Sequence, residues 1–271
     1  MALTKVGKEG ITGISNSSDA TAITIDSSER VGIDFTPKTQ HANVTSSLNV
    51  GGGSTFQRTK DTYRTSNFYY NSSDTGKSID TGYALMYSQD VTNGKHAFTT
   101  STSSAGSADA TVSLQQLMVI DANGHVTMPK QSAFLVSKAS GGAQSFNASA
   151  TTTITWSDEH FDNNADFASN TFTAPVTAKY QFNVNIRVDV VDEGASYYQI
   201  EAITSNRTYY NLFSTNGFSQ NLSYMNMNMS LLADLDASDT CYVRIYQGGG
   251  ATQSDVDGQT ITTNFSGYLA C

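Results

Sequence analysis

Between residues 180 and 190 the chain alternates without a break. Tyr180, Phe182, Val184, Ile186, Val188 and Val190 fall on one face, and Gln181, Asn183, Asn185, Arg187 and Asp189 on the other. A period of two with aromatic and β-branched residues on the apolar side predicts a half-buried antiparallel strand. Pro175 has no N–H to give to a ladder, so residues 171–178 read as the connection leading into it. A second alternating run over residues 224–231 places Met225, Met227, Met229 and Leu231 on one face and Asn226 and Asn228 on the other. The Met side is expected in the core of a sandwich. The Asn side is expected toward a neighbouring subunit, where amides around a symmetry axis would fix register; the mirror assignment stays open on sequence alone.

Shorter runs fill the first half. Strands are expected over residues 43–50, 66–70, 82–89, 95–100 and 110–116, with residues 51–54 and 102–107 as loops. Residues 83–88 admit a helical turn, but Gly82 before them and residues 90–94 after them favour a hairpin. Together these make a small β-sandwich. Around it a pattern repeats: ITIDSSERVGI at residues 23–33 matches MVIDANGHVTM at residues 118–128. In both, apolar residues lead to an Asp, four turn-forming or polar residues follow, and a Val begins the return strand. Each hairpin carries too little apolar surface to bury alone and is expected to be stabilised by copies from other chains around one axis. Residues 1–20 are polar and Gly-punctuated, and are expected to be ordered by docking to another component.

Composition narrows the picture. With 14% charged residues and three Pro among 271, the chain reads as all-β. A net charge of −9 with 15 thinly spread Lys and Arg leaves no basic stripe for a nucleic-acid backbone. No apolar stretch approaches the ~20 residues of a membrane span, and the opening residues lack the apolar region of a secretory signal. The expectation is synthesis in a cytoplasm, without membrane insertion or export by that route. Cys241 and Cys271 are expected as a buried thiol in a strand and a free terminal one, since a disulfide framework needs more cysteines and an oxidising compartment.

Chemical motifs are sparse. His41, His96, His125 and His160 do not stand at metal-ligand spacing with one another or with Cys. Gly51-Gly52-Gly53 lacks the Lys and hydroxyl of a phosphate loop. Asp158-Glu159-His160 is the densest titratable triplet, but neighbours on a strand point to opposite faces, so it is expected to be solvated rather than catalytic. Asp189, Asp192 and Glu193 form an acidic loop with two readings, an oxygen-ligand cation site or an ordinary solvated turn. No cofactor is expected, and the identity of any structural cation is left unknown.

The segment 161–182, with FDN, then NTFTAPVTAKYQF, resembles the signature of the complement C1q globular head, a relative of the tumour-necrosis-factor jelly roll. Ala133-Phe134, the run LDASD at 235–239 before CYVRI at 241–245, and FSGYL at 265–269 agree with it in order and spacing. Asn170, Ala178 and Ser238 stand where that family usually has Gly. Asn170 tolerates the left-handed conformation of a turn, whereas Ala178 and Ser238 are expected to mark locally different turns. The repeated hairpin resembles one that recurs in phage tail fibres. The two resemblances imply an all-β homotrimeric fibre of three parts. Residues 1–40 would hold a virion-docking segment, meeting a tail adaptor or nozzle, and the first hairpin. Residues 41–130 would form a stalk domain with a small β-sandwich, and residues 131–271 a jelly-roll head of the C1q and TNF type.

The implied function is adsorption to a host-surface polysaccharide or protein receptor, by a virion tail protein that is not an enzyme. Two rivals remain: a polysaccharide-cleaving tailspike, which would use paired carboxylates in a groove, and a capsid decoration without a receptor. Strand alternation puts the loops near residues 191–195, 214–220 and 247–258 at the tip. There Asp192, Glu193, Phe218, Asp255 and Asp257 are the candidate receptor contacts.

Overall fold

The computed structural model describes residues 23–25, 30–33, 38–139, 142–259 and 261–271. Every regular element among them is a strand, so no helix is long and apolar enough to cross a membrane. The chain divides into two compact units, Met1–Met128 and Pro129–Cys271.

The first unit contains β1 (Ile23–Ile25), β2 (Val31–Ile33), β3 (Val44–Val50), β4 (Gly53–Arg58), β5 (Asp61–Ser66), β6 (Tyr69–Tyr70), β7 (Gly76–Lys77), β8 (Leu85–Asp90), β9 (Lys95–Ser101), β10 (Leu114–Ile120) and β11 (Val126–Thr127). Nine of these form one sheet in the order β1-β2-β3-β4-β5-β8-β9-β10-β11, and β6 and β7 form a separate pair. The repeated hairpins sit at its two ends, with Ile23 opposite Ile33 and Ile120 opposite Val126. In the second hairpin the Asp121 carboxylate accepts the Asn123 and His125 backbone N–H groups, both at 2.9 Å, as an Asp-initiated turn requires. The corresponding turn of the first hairpin, residues 26–29, and the docking segment at residues 1–20 lie outside the described residues.

The expected small sandwich is lopsided. One long meander is capped on one face by the short β6–β7 pair and its loops. Phe68, fully buried, meets the ring of Tyr70 edge-on at 4.9 Å, and a small core of Val44, Phe56, Phe68 and Ala84 results. Residues 51–54, expected as a loop, are a tight hairpin that delivers Gly53 opposite Val50 and starts β4. Residues 83–88 belong to the β8–β9 hairpin rather than a helical turn.

The second unit contains β12 (Ala133–Ser137), β13 (Gln144–Phe146), β14 (Thr151–Thr153), β15 (Asp158–Asp162), β16 (Phe167–Ala168), β17 (Thr171–Thr173), β18 (Ala178–Val191), β19 (Ala195–Thr204), β20 (Thr208–Ser214), β21 (Leu222–Leu235), β22 (Thr240–Gly249), β23 (Ser254–Val256) and β24 (Asn264–Leu269). One sheet follows the order β13-β23-β18-β24-β12-β15 with β21 on the other edge of β18; the second runs β16-β17-β22-β19-β20 with β14 on β22. The chain passes repeatedly from one sheet to the other, at β17–β18, β18–β19, β20–β21, β21–β22 and β22–β23, as in a jelly roll. An aromatic cluster fills the space between. Phe134 lies 5.2 Å from Phe172 and 5.0 Å from Phe265, and Phe172 lies 5.3 Å from Phe182. Such rings supply area and specific geometry together.

The anchor strand is β18, and its even positions from Tyr180 to Val188 are buried as expected. The alternation ends at Val190, which takes φ +57° and is exposed, while Val191 is fully buried. A β-branched residue in that region is a backbone outlier; it moves the apolar face by one position just before the loop. On β21, Met225, Met227 and Leu231 are buried, Met229 is half-buried, and Asn226 and Asn228 are exposed, so the Met side is the core side. Asn170 and Ser238 both adopt left-handed backbone, at φ +67° and +77°. Ser238 therefore keeps the turn that a Gly would make, contrary to expectation. Ala178 has no such strain and opens β18 opposite Leu235.

Candidate recognition surface

Strand β18 fixes the two ends of the second unit. At its start the Lys179 N–H donates to the Cys271 carbonyl at 2.9 Å, and the Gln131 side chain donates to the Leu269 carbonyl at 2.9 Å. Entry and exit therefore lie together. At the far end of β18, three connections converge: residues 192–194, 215–221 and 250–253. The Glu193 N–H donates to the Asn221 side chain at 2.9 Å, joining the first to the second. The first and third are joined through Asp192.

Asp192 is a clamp. Its Oδ2 accepts the Ala251 and Thr252 N–H groups, both at 2.7 Å, and its Oδ1 accepts the Gly194 N–H at 2.8 Å. The hydrogen bond from Thr252 above all holds the carboxyl below its usual range. Gly250 at φ +87° leaves room for this, since a Cβ there would collide with Oδ2 of Asp192. Beneath it the buried Tyr198 hydroxyl accepts the Asp192 N–H at 2.8 Å and lies 2.7 Å from Ser254 Oγ, which donates to the Val190 carbonyl at 2.8 Å. The bent Val190 is thus tied into the same network.

This geometry corrects part of the expected contact set. Asp192 is buried with both oxygens engaged, so it positions loops and is not open to a receptor. Asp257 is also buried, paired with Arg187 at 3.7 Å and with the Thr262 hydroxyl. Asp255 belongs to β23, not to a loop: it lies opposite Asp189 on one side and Ser145 on the other, half-buried. The segment 247–258, expected as one loop, is mostly β22, a short turn and β23. Glu193 and Phe218 are exposed at the converging connections, with Phe218 braced by Phe213 at 5.8 Å. Asn216, Gln220 and Gln253 are exposed on the same connections and were missed, because isolated amides in loops carry no periodic signal.

The acidic loop does not assemble a metal centre: among the described residues no group of three or more His, Cys, Asp or Glu is arranged to hold an ion. Arg187 takes up Asp189 instead, with Nε donating at 2.7 Å, and its guanidinium stacks over Tyr224 at 4.8 Å. Asp158-Glu159-His160 lies on the edge strand β15, not in a loop. Ser137 Oγ stands 2.9 Å from His160 Nε2, but the Asp158 carboxylate faces that same nitrogen at 4.0 Å. A triad needs the acid on the opposite ring nitrogen, and Ser137 is fully buried. Cys241 is buried in β22, its thiol pushed up to about 12 by burial, and Cys271 is exposed and unpaired.

No family model matches the chain, and no curated protein matches it in sequence. Solved structures similar to it are C1q and TNF-like domains, each spanning about half of this chain. The globular domain of zebrafish complement 1qA is 17% identical over 52% of this chain and 98% of its own, with a TM-score of 0.37. Murine APRIL at pH 8.0 is 12% identical over 52% of this chain and 100% of its own, TM-score 0.38. The Eiger TNF structure from S. frugiperda is 10% identical over 52% and 94%, TM-score 0.38.

Proposed function

We propose that the chain is a homotrimeric phage tail fibre whose head adsorbs the virion to a polysaccharide or protein on the host surface. The observation that carries this reading is the clamped loop cluster at the end of the head opposite its entry and exit. Recognition residues are commonly displayed on loops held by a rigid scaffold, and here the Asp192 network supplies the rigidity. The exposed residues, Glu193, Phe218 and short amides, combine one ring platform with adaptable hydrogen bonding. The repeated hairpin, with its resemblance to tail-fibre modules, supports placement in a virion tail. The tailspike reading is weaker because carboxylates it could pair are already engaged, Asp189 and Asp257 by Arg187 and Asp192 by backbone N–H groups.

The test is binding of labelled chain to a panel of bacterial cells and their extracted surface polysaccharides, with polymer length followed in parallel. Saturable binding to some strains with unchanged polymer length is expected. Shortened polymer would put the tailspike reading first, and absence of binding to every strain that the parent virion infects would favour a decoration.

A further inference from the structure

The nine-stranded sheet of the first unit leaves large apolar side chains uncovered. Its capped face carries Phe56, Tyr63, Met86 and Ala97 among Ser47, Asn49, Ser54, Thr65, Ser88 and Thr99. Its open face carries apolar residues as well. Leu48, Val50, Leu85 and Phe98 are 45%, 55%, 51% and 46% exposed. Register makes this one surface: Leu48, Thr55, Arg64, Tyr87 and Phe98 follow one another across β3, β4, β5, β8 and β9, and Ile33 and Val50 adjoin on β2 and β3. They border a shallow hollow of about 560 Å³, whose described lining residues include one charged side chain, Arg64. A sheet with one solvated face commonly carries polar residues there. Here Leu48, Val50, Leu85 and Phe98 share that face with the exposed Thr55, Gln57, Arg64 and Gln89.

We infer that the open face is where copies of this chain meet, so that the first unit, and not only the head, assembles the fibre. The inference rests on the homotrimeric reading above and locates its contact. Ile33, Leu48, Val50, Leu85, Phe98 and Leu117 together expose roughly 500 Å² of apolar side chain, close to the apolar share of a standard interface of about 800 Å² per partner. That is near the largest patch an ordinary monomer leaves in water. Arg64, at the middle of that row, is of the residue type enriched with aromatics at protein contacts, and no other charged side chain lines the hollow among the described residues.

Hydroxyl-radical footprinting of the full chain, with light scattering on the same sample, tests it. The expected result is a trimer in which Phe98 and Leu85 are oxidised no faster than the buried Phe56. A trimer with Phe98 freely oxidised overturns the inference and leaves the homotrimer reading standing; a monomer overturns both. Protection of Phe98 that appears only on adding bacterial polysaccharide overturns it in favour of a glycan site. As a second measurement, Phe98→Asp is expected to expose residues 38–128 to protease while the trimeric mass persists through the head. If this variant resists protease as the wild type does, the face is not a contact.

Discussion

At the scale of single residues, the head depends on side chains whose roles are set by distant backbone. Asp192 meets N–H groups at positions 251 and 252, so nothing in its local sequence marks it as a clamp; the run Asp-Glu-Gly reads as a solvated turn. Asp192→Asn would turn an amide NH₂ toward donors it cannot accept from, or leave them unpaired, at a cost of about 2 kcal/mol. Because the carboxyl is held below its usual value, its contribution is complete above the ordinary carboxyl pKa near ~3.9 and is lost as pH falls through the lowered one. Melting temperatures of wild type and Asp192→Asn should therefore differ at neutral pH and converge as acid protonates the carboxyl; a difference that stays constant through the whole acid range would contradict the clamp. The cysteines were legible, one in an apolar strand and one terminal. A thiol reagent should label one cysteine per native chain, Cys271, and two after unfolding, since burial keeps Cys241 protonated and covered.

At the scale of elements, alternation revealed strands in proportion to how evenly their two faces differ. β18 and β21 were read directly because each has one apolar and one amide-rich face. β4 and β5, with sequences GSTFQR and DTYRTS, contain one aromatic each among polar residues and Gly, so neither was expected as a strand. Their pairing comes from neighbours on both sides, a tertiary effect that a single strand does not announce. The bend at Val190 was also hidden, since the composition continues the pattern while the backbone leaves it. β24 shows the opposite case, where one residue type carries the packing. Gly267 lies between β18 and β12, and a Cβ there would stand 2.6 Å from Phe182 and 2.7 Å from Phe134. Gly267→Ala should destabilise the head by about 1–3 kcal/mol, as overpacking does, lowering the denaturant midpoint at unchanged slope. An unchanged midpoint would mean that the aromatic cluster has slack.

At the scale of the whole molecule, the head was the legible part. Its two sheets were expected from the resemblance carried by residues 161–182, 235–245 and 265–269, whereas the first unit is built from hydroxyl-rich strands with apolar residues on both faces. A candidate surface was legible only as loop positions; which of its carboxylates face water was decided by long-range hydrogen bonds. Glu193, Phe218 and neighbouring amides are the exposed candidate contacts, whereas Asp192 and Asp257 are buried and Asp255 is half-buried in β23. Replacing all of residues 247–258 would delete β23 and the clamp, so it cannot separate binding from folding. Substitution of exposed side chains can.

The most direct measurement is binding of the triple variant Glu193→Gln, Phe218→Ala, Gln220→Ala to bacterial cells that the wild-type chain recognises, alongside its melting curve. The account predicts an unchanged melt and mass with binding reduced at least about tenfold, the effect of losing roughly 1.4 kcal/mol of contact energy. Wild-type binding by a variant that folds and assembles normally would contradict it, and would move the receptor surface away from the end of the head.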